Sequence, residues 1–334
     1  MKHLRSVVAG LLVALIGVGT VMGTERPLIE PSSAGDVEAL LVLPHAGVVA
    51  FAFSPDGETL ASVDESLVLR IWNTATGECV RTLELEPGIA ERFAGVFSDD
   101  MRWVAVGLPD DSVGVWRISD GERVATVEPG SSAMSVRFSP DSHILTVARF
   151  DGVIELWGVT ENARIAQWLA HESAVHGLAF SPDGNTLATS SINETHVIRI
   201  WSIESGEMQS ELSGHRQNVY RVLFVQDGAQ LLSASGDRSV ILWDVASGEQ
   251  VRVFRGHYDT VNDVVLSPSG DILATAGSDR TVRLWDFAEA ESVETLQGHG
   301  RYVVRYVAFS PSGHLVASST LGRVGGEIII WGIP

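Results

Sequence analysis

Seven tryptophans recur at a nearly constant spacing, and this period limits the possible folds more than any other feature of the chain. They stand 41 to 46 residues apart, and each closes a short β-branched or aliphatic run such as Val282–Trp285. A period of this length holds four short strands and their turns. Trp103 and Trp168 fall outside the phase and are predicted to be ordinary strand residues. The seven in-phase positions are Trp72, Trp116, Trp157, Trp201, Trp243, Trp285 and Trp331.

Turn residues repeat in the same phase as the tryptophans. Proline presets the first dihedral of a tight turn, and glycine or aspartate accepts the positive φ that a hairpin demands. A second turn, such as Ser205-Gly206-Glu207, separates the last two strands of a repeat. Each repeat is therefore predicted to be a four-stranded antiparallel meander in an all-β fold. The first turns are Pro55-Asp56-Gly57, Asp99-Asp100, Pro140-Asp141, Pro182-Asp183-Gly184, Asp227-Gly228, Pro268-Ser269-Gly270 and Pro311-Ser312-Gly313.

Two repeats carry paired dipeptides at their ends. Gly214-His215 precedes Trp243-Asp244, and Gly256-His257 precedes Trp285-Asp286. With these motifs the chain resembles the WD-repeat family of β-propellers over residues 37–334. The resemblance implies seven four-stranded blades stacked in a ring, an arrangement that buries both faces of every sheet.

The two ends of the repeat region predict how the ring closes. The seventh repeat has strands near Val303–Phe309, Leu315–Ser318 and Ile328–Trp331, and no fourth strand follows. Val37–Leu43 reads as a strand without a blade. In the family that the chain resembles, the N-terminal strand completes the last blade. We therefore predict that Val37–Leu43 supplies the missing strand and that its deletion opens the ring.

The first residues read as an export signal. Lys2, His3 and Arg5 precede the apolar run Val7–Met22, and polar residues follow. This is the pattern of a secretory signal, with cleavage expected after Gly23. We expect an exported protein of bacterial type (periplasmic, secreted or on the cell surface) with a signal at residues 1–23, a linker at 24–36 and the propeller at 37–334. The alternative is a membrane anchor formed by residues 7–22, which are short for a span of roughly 20 residues.

Charge and cysteine content exclude several classes of partner. The chain has 42 acidic and 23 basic residues, for a net charge of −19. An acidic chain without basic clusters disfavours nucleic acid and anionic lipid as partners.

Cys79 is the single cysteine, so no intramolecular disulfide forms, and we expect it to be a small apolar strand residue. We expect a monomer, with no membrane insertion beyond the N-terminal segment.

One trio looks catalytic. His215, Ser233 and Asp237 carry the residue types of a hydrolase triad. The family resemblance implies instead that they form a buried structural tetrad with Trp243, in which the indole can only donate and the hydroxyl both accepts and donates. The same four positions recur in the next repeat, which a catalytic set has no reason to do. The second tetrad is His257, Thr275, Asp279 and Trp285.

The other blades are predicted to have lost tetrad members. The first has its acid, Asp64, displaced, and the fourth carries Glu194 in a two-residue insertion. The second and third lack the histidine, although Asp110 and Asp151 hold the acidic position. Blades five and six are therefore expected to be rigid, and blades two and three looser.

The sequence predicts no catalytic, cofactor-binding or metal site. The ten histidines are dispersed, and no Cys-x-x-Cys or His-x-x-His motif occurs. The acid–base residues that a catalytic propeller would need in its channel form no cluster visible in the sequence. We therefore expect a protein without a cofactor and without enzymatic activity.

A candidate partner-binding face follows from the family's geometry. In that family, residues near the start of each first strand ring the channel mouth and often touch partners. Aromatic residues, Met and Arg are enriched where binding energy concentrates. We count four residues back from the last residue of the first strand in each repeat and add one residue of a neighbouring loop. The candidates are Phe93, Met134, Phe150, His176, Tyr220, Asn262 and Arg305.

These observations favour a non-enzymatic scaffold that presents a propeller face to an unidentified protein partner outside the cytoplasm. Two alternatives stay open: a propeller enzyme or small-ligand binder that uses channel residues, and a cell-envelope assembly factor. The partner's identity, the face that binds it and any channel ligand are left open by the sequence.

Overall fold

A computed structural model describes residues 26–86, 95–320 and 326–334, and these residues form seven separate four-stranded antiparallel sheets. The predicted signal at 1–23, the first two linker residues and Phe93 lie outside the described residues. The prediction of a seven-bladed all-β propeller is confirmed. Each in-phase tryptophan lies in the third strand of its blade.

The strands follow the chain blade by blade. Blade one contains β2 (Val48–Phe53), β3 (Thr59–Asp64), β4 (Val68–Asn73) and β5 (Cys79–Glu84). Blade two contains β6 (Val96–Phe97), β7 (Trp103–Gly107), β8 (Val113–Arg117) and β9 (Arg123–Val127). Blade three contains β10 (Ala133–Phe138), β11 (Ile144–Arg149), β12 (Val153–Gly158) and β13 (Ala163–Leu169). Blade four contains β14 (Val175–Phe180), β15 (Thr186–Ser191), β16 (Ile198–Ser202) and β17 (Met208–Leu212).

The last three blades continue the same order. Blade five contains β18 (Val219–Val225), β19 (Gln230–Ser235), β20 (Ser239–Asp244) and β21 (Gln250–Arg255). Blade six contains β22 (Val261–Leu266), β23 (Ile272–Gly277), β24 (Val282–Asp286) and β25 (Glu291–Leu296). Blade seven contains β26 (Val304–Phe309), β27 (Leu315–Thr320), β28 (Ile328–Gly332) and the N-terminal strand β1 (Glu38–Leu43). Short 3-10 helices occupy Ala34–Asp36 and Gln226–Gly228.

The ring closes through β1, as predicted. This strand pairs antiparallel with β28, from Glu38 opposite Gly332 to Leu43 opposite Ile328. The register shifts once, between Ala39 and Leu41. The seventh sheet therefore joins the two ends of the chain.

The apolar core is divided among the blade interfaces. The described residues form seven clusters of buried side chains, and each cluster is shared by two neighbouring blades. The cluster between blades five and six, for example, combines Leu232 and Phe254 with Val264 and Trp285. A blade thus buries its two faces against two different neighbours, and stability is expected to be a sum of such interfaces.

The described part of the predicted linker packs on the ring. Ile29 and Ala34 are fully buried in the cluster between blades six and seven. The Ile29 amide also donates a hydrogen bond to the carbonyl of Gly313, at 3.3 Å. This segment therefore covers an interface before the chain enters β1.

The first turns that lack the Pro-Asp-Gly sequence keep the backbone conformation of the turns that have it. Gly57 has φ +73° in the first blade, and Met101 and Ser142 have φ 55° and 62° in the second and third. Trp103 and Trp168 lie in β7 and β13, as predicted. Cys79 begins β5 and is exposed, because the fourth strand of that blade faces solvent.

No helix among the described residues has both the length and the apolar composition needed to cross a bilayer.

We predict that Leu43→Ala lowers the free energy of unfolding by about 2–5 kcal/mol, the range for a buried Leu→Ala change. Leu43 is fully buried between blades seven and one. Val42→Ala is the matched control: this neighbour is 56% exposed, and its change should stay within about 0.5 kcal/mol. Urea denaturation measures both variants. Equal effects would contradict a closing role for the buried face of β1.

Candidate binding site at the channel mouth

The side chains of each sequence-predicted tetrad lie together in blades five and six. Trp243 Nε1 lies 2.7 Å from Ser233 Oγ, Ser233 Oγ lies 2.7 Å from His215 Nε2, and His215 Nδ1 lies 2.8 Å from Asp237 Oδ2. In blade six, Thr275 Oγ1 takes the serine position, at 2.9 Å from Trp285 Nε1 and 2.7 Å from His257 Nε2. His257 Nδ1 is 2.8 Å from Asp279 Oδ2.

The donors of the blade-five tetrad can be assigned from the chemistry of its members. The indole can only donate and the ionised carboxylate can only accept. With a neutral imidazole, the protons therefore run in one direction, from Trp243 to Ser233 to His215 to Asp237. Burial alone would raise the pKa of Asp237, but hydrogen bonds from His215 and Ser239 hold that pKa well below its ordinary value. Ser233 is fully buried, so its hydroxyl is placed for architecture rather than for attack on a substrate.

Blade one completes its tetrad by turning the histidine ring over. His45 Nδ1 lies 2.6 Å from Ser62, and Nε2 lies 3.1 Å from Asp64. The expectation that Asp64 is displaced out of the network was therefore wrong. Asp64 follows its serine by two residues instead of four, and the reversed ring brings the other nitrogen to the carboxylate.

In blades four and seven, a glutamate that lies in or after the insertion stands nearest the tetrad histidine. His171 Nδ1 is 3.0 Å from Glu194 Oε2, which also accepts from Ser191. His299 Nδ1 is 3.6 Å from Glu327 Oε1, too far for a hydrogen bond. Burial lowers the pKa of His299 to about 4. The blade-seven tetrad is therefore incomplete at its acidic end.

Blade three replaces the tetrad with a buried ion network. Val147 stands where other blades have the hydroxyl, opposite Glu155. Trp157 Nε1 donates to Glu155 Oε2 at 2.8 Å, and Arg149 and Arg164 pair with the other carboxylate oxygen. Asp151, expected in the acidic tetrad position, pairs with Arg149 instead. Blade three is thus held by a different set of polar bonds.

Blade two has no equivalent network among its described residues. Val106 replaces the hydroxyl, and Trp116 Nε1 is buried without a hydrogen-bond partner in the described part of the chain. Asp110 accepts hydrogen bonds from the backbone and the side chain of Ser112, within its own turn. Gly114 lies under the Trp116 ring, where a Cβ would come within 2.2 Å. Blade two is therefore the blade that relies most on apolar packing.

Five of the seven predicted partner-binding residues line one cavity of about 110 Å³ at the channel mouth. The two others do not: Phe150 is 60% exposed in the loop between β11 and β12, and Phe93 lies outside the described residues. We call the five the mouth residues. They are Met134, His176, Tyr220, Asn262 and Arg305.

A backbone irregularity places each mouth residue. The first strand of each of these blades shifts register at that position, as between Ala133 and Ser135 around Met134. Such bulges bend a strand and re-aim a side chain. The repeated bulge is the physical reason that the same position of blades three to seven reaches the mouth.

His176 is held neutral at this mouth. Its Nδ1 lies 3.1 Å from the carbonyl oxygen of Tyr220, which can only accept, so Nδ1 carries the proton. The Arg305 guanidinium lies 3.5 Å from Nε2 and donates toward it. Burial and the charge of Arg305 lower the pKa of His176 to about 4.

We did not predict the polar cluster below the mouth, and the expectation that no acids or bases cluster in the channel was wrong. Arg221 Nε lies 3.0 Å from Asp263 Oδ1, while Asp263 Oδ2 accepts from the Val307 amide at 3.0 Å. Tyr306 lies beside them. Each of these residues follows a bulge by one position. That offset was the available signal, because it places charged residues on otherwise apolar inner strands.

The cluster joins the mouth to a deeper cavity of about 250 Å³. Arg137 and Asp99 line this part of the channel together with apolar side chains. Burial raises the pKa of Asp263, and burial with the neighbouring Asp100 raises that of Asp99. Within the described residues, no group of three or more metal-ligating side chains is placed to hold a metal ion.

Six segments of the chain match the family described as "WD domain, G-beta repeat": residues 38–73, 121–158, 163–202, 206–244, 248–286 and 290–331. An uncharacterized WD repeat-containing protein of Schizosaccharomyces pombe is 28% identical over 209 residues, covering 59% of this chain and 52% of that protein. One from Synechocystis is 27% identical over 199 residues, covering 59% and 53%. Apoptotic protease-activating factor 1 of Mus musculus is 29% identical over 161 residues, covering 45% and 13%. The chain thus spans about half or less of the length of these relatives.

We predict faster backbone hydrogen exchange in blade two than in blades five and six. Complete tetrads tie the loops of blades five and six to their third strands. Within the described ranges, Trp116 has no such bond and β6 has two residues. Hydrogen–deuterium exchange with mass spectrometry should show earlier uptake in peptides from β7 and β8 than in those from β19 and β20. Slower uptake in blade two would contradict the structural role of the tetrads.

Proposed function

The chain belongs to the WD-repeat family of β-propellers, and from this we propose that it is a non-enzymatic scaffold whose mouth residues bind a protein partner outside the cytoplasm. Propellers of this family are in general scaffolds for protein interactions. The fold alone does not identify a partner, so the proposal must be argued from the residues of the site.

The observation that carries the proposal is the contrast between two sets of positions. The histidine, hydroxyl and tryptophan positions of the tetrad are alike in blades one, four, five and six, and their side chains are buried. The mouth positions hold a different residue type in each of five blades and meet at one cavity. Met, His, Tyr and Arg offer the contact area and donors typical of binding hot spots.

A second candidate function is the binding of a small ligand inside the channel. The Arg221–Asp263 pair and Tyr306 line the passage between the two cavities. Such convergent polar groups in a concave site are typical of ligand pockets.

We expect Met134→Glu to reduce capture of the partner at least about tenfold, because a charge at the centre of an interface disrupts well-packed contacts. Affinity capture from the producing cell, quantified by mass spectrometry, measures this. Val80→Glu is the matched control, since Val80 is 57% exposed on the outer strand β5, away from the mouth. If Met134→Glu captures a protein as well as the wild type does, and Val80→Glu does not capture it, the proposal is wrong. The binding surface would then lie on the outer strands.

We also propose that residues 1–23 direct export and are removed. The basic residues Lys2 and Arg5 before the run Val7–Met22 support this. The intact mass of the chain recovered from the producing cell should then correspond to a start at Thr24. A chain that retains residues 1–23 in the membrane fraction would favour the anchor, and an uncleaved chain in the cytosol would contradict export.

A further inference from the structure

The mouth cavity contains a guanidinium that lacks a carboxylate partner. Among the described residues, no acidic side chain lies within 4.0 Å of Arg305. Its neighbours are the unprotonated nitrogen of His176, at 3.5 Å, and Tyr306, whose ring lies 5.7 Å from the guanidinium carbon and whose hydroxyl accepts a hydrogen bond from it. A guanidinium has five donors, so most of those on Arg305 are available.

Two other polar side chains of the cavity, Asp263 and Asn262, are already engaged. Asp263 is the acidic residue lining it, and it is engaged by Arg221 and by two backbone amides. The amide nitrogen of Asn262 donates to the Val304 carbonyl at 2.8 Å and to Ser278 at 3.1 Å. With His176 neutral, the lining has two arginines against one aspartate. The mouth therefore carries a net positive charge within a chain of −19.

The size of the cavity limits what can enter. About 110 Å³ is well above the roughly 15 Å³ that one water requires and below the 300–1,000 Å³ of a drug-sized ligand pocket. This space fits a carboxylate on a short aliphatic chain. A dianion such as phosphate fits less well, because a single unpaired guanidinium would face it while the Asp263 carboxylate lies nearby.

We propose that the channel mouth binds a carboxylate group through the guanidinium of Arg305. The planar guanidinium matches a carboxylate in a two-bond fork, and few side chains compete for it here. Two sources share this chemistry: a Glu or Asp side chain of a protein partner, and a free small carboxylate. The first source rests on the proposed function, and the second does not.

Calorimetric titration of the full chain tests the proposal with N-acetyl-glutamate N-methylamide, its glutamine counterpart, glutarate and inorganic phosphate as probes. We expect the glutamate probe to bind at least about tenfold more tightly than the glutamine probe, because only the former pairs with the guanidinium. Tighter binding of the glutamate probe than of glutarate identifies a protein side chain as the source, and the reverse order identifies a free acid. Equal binding of the glutamine probe, or of phosphate, overturns the proposal.

Variants of two arginines in blade seven locate the binding. Arg305→Met should abolish binding of the glutamate probe, and Arg305→Lys should weaken it, since lysine keeps the charge without the fork. Arg301→Met is the matched control, because Arg301 is exposed, stacks on Tyr302 and does not line the cavity. Thermal melts check that each variant is folded. Retained binding by both Arg305 variants overturns the proposal.

The pKa of His176 gives a second readout that does not depend on affinity. Its surroundings are Arg305 and Tyr306 on β26, Tyr220 and Arg221 on β18, and Asp263 on β22. A bound carboxylate adds negative charge beside the imidazole, so it should raise the pKa of His176 above its value of about 4. Titration of the ¹⁵N-labelled imidazole by NMR, with and without the glutamate probe, measures the shift. A bound probe that leaves this pKa unchanged places the ligand elsewhere.

The two proposals fail in different ways. If the probes do not bind while Met134→Glu still loses the partner, the scaffold function stands and the carboxylate site is wrong. If the probes bind through Arg305 while partner capture is insensitive to Met134→Glu, the carboxylate site stands and the protein-binding face is wrong.

Discussion

The structure depends on one constraint: a four-stranded blade has two apolar faces and cannot bury both by itself. Each face must be covered by a neighbouring blade, so the core is split into seven interfaces. An open row of blades would leave two faces exposed to water. Pairing of β1 with β28 removes both exposed ends in one step, because it joins the first strand of the chain to the last blade.

The polar tetrads have a different role: they hold the loops in place over an apolar blade. A buried indole N–H costs free energy unless it is hydrogen-bonded. In blade five, the bond from Trp243 passes through Ser233 to His215 and ends on a carboxylate. Blade three satisfies its indole with a different acceptor. Glu155 accepts directly from Trp157, and two arginines neutralise its charge. More than one set of side chains can thus satisfy the indole, and blade two keeps its tryptophan without a hydrogen-bond partner among the described residues.

The candidate binding site arises from a small departure from regular strand pairing. A bulge near the start of the first strand turns one residue toward the mouth, and the following residue lies in the channel. Repetition of this bulge brings together side chains distant in sequence, such as His176 and Arg305. The bulge position varies in residue type from blade to blade while the tetrads largely repeat. The candidate binding residues and the architectural residues thus occupy different positions of the same repeat.

The sequence determined the number of blades, the turns between their strands and the closing strand. These features are local or periodic: turn residues act over a few positions, and Trp72 to Trp331 repeat one unit seven times. It also identified the mouth positions by counting along each repeat. Only the tertiary structure decided which of those side chains meet, that Asp64 reaches His45 through a reversed ring, and that Glu155 substitutes for a lost tetrad. The pairing of Arg221 with Asp263 and the approach of the Arg305 guanidinium to His176 also required the closed ring. The reason is geometric, because contacts across a channel join residues from different blades, and no repeat of the sequence encodes which partner stands opposite.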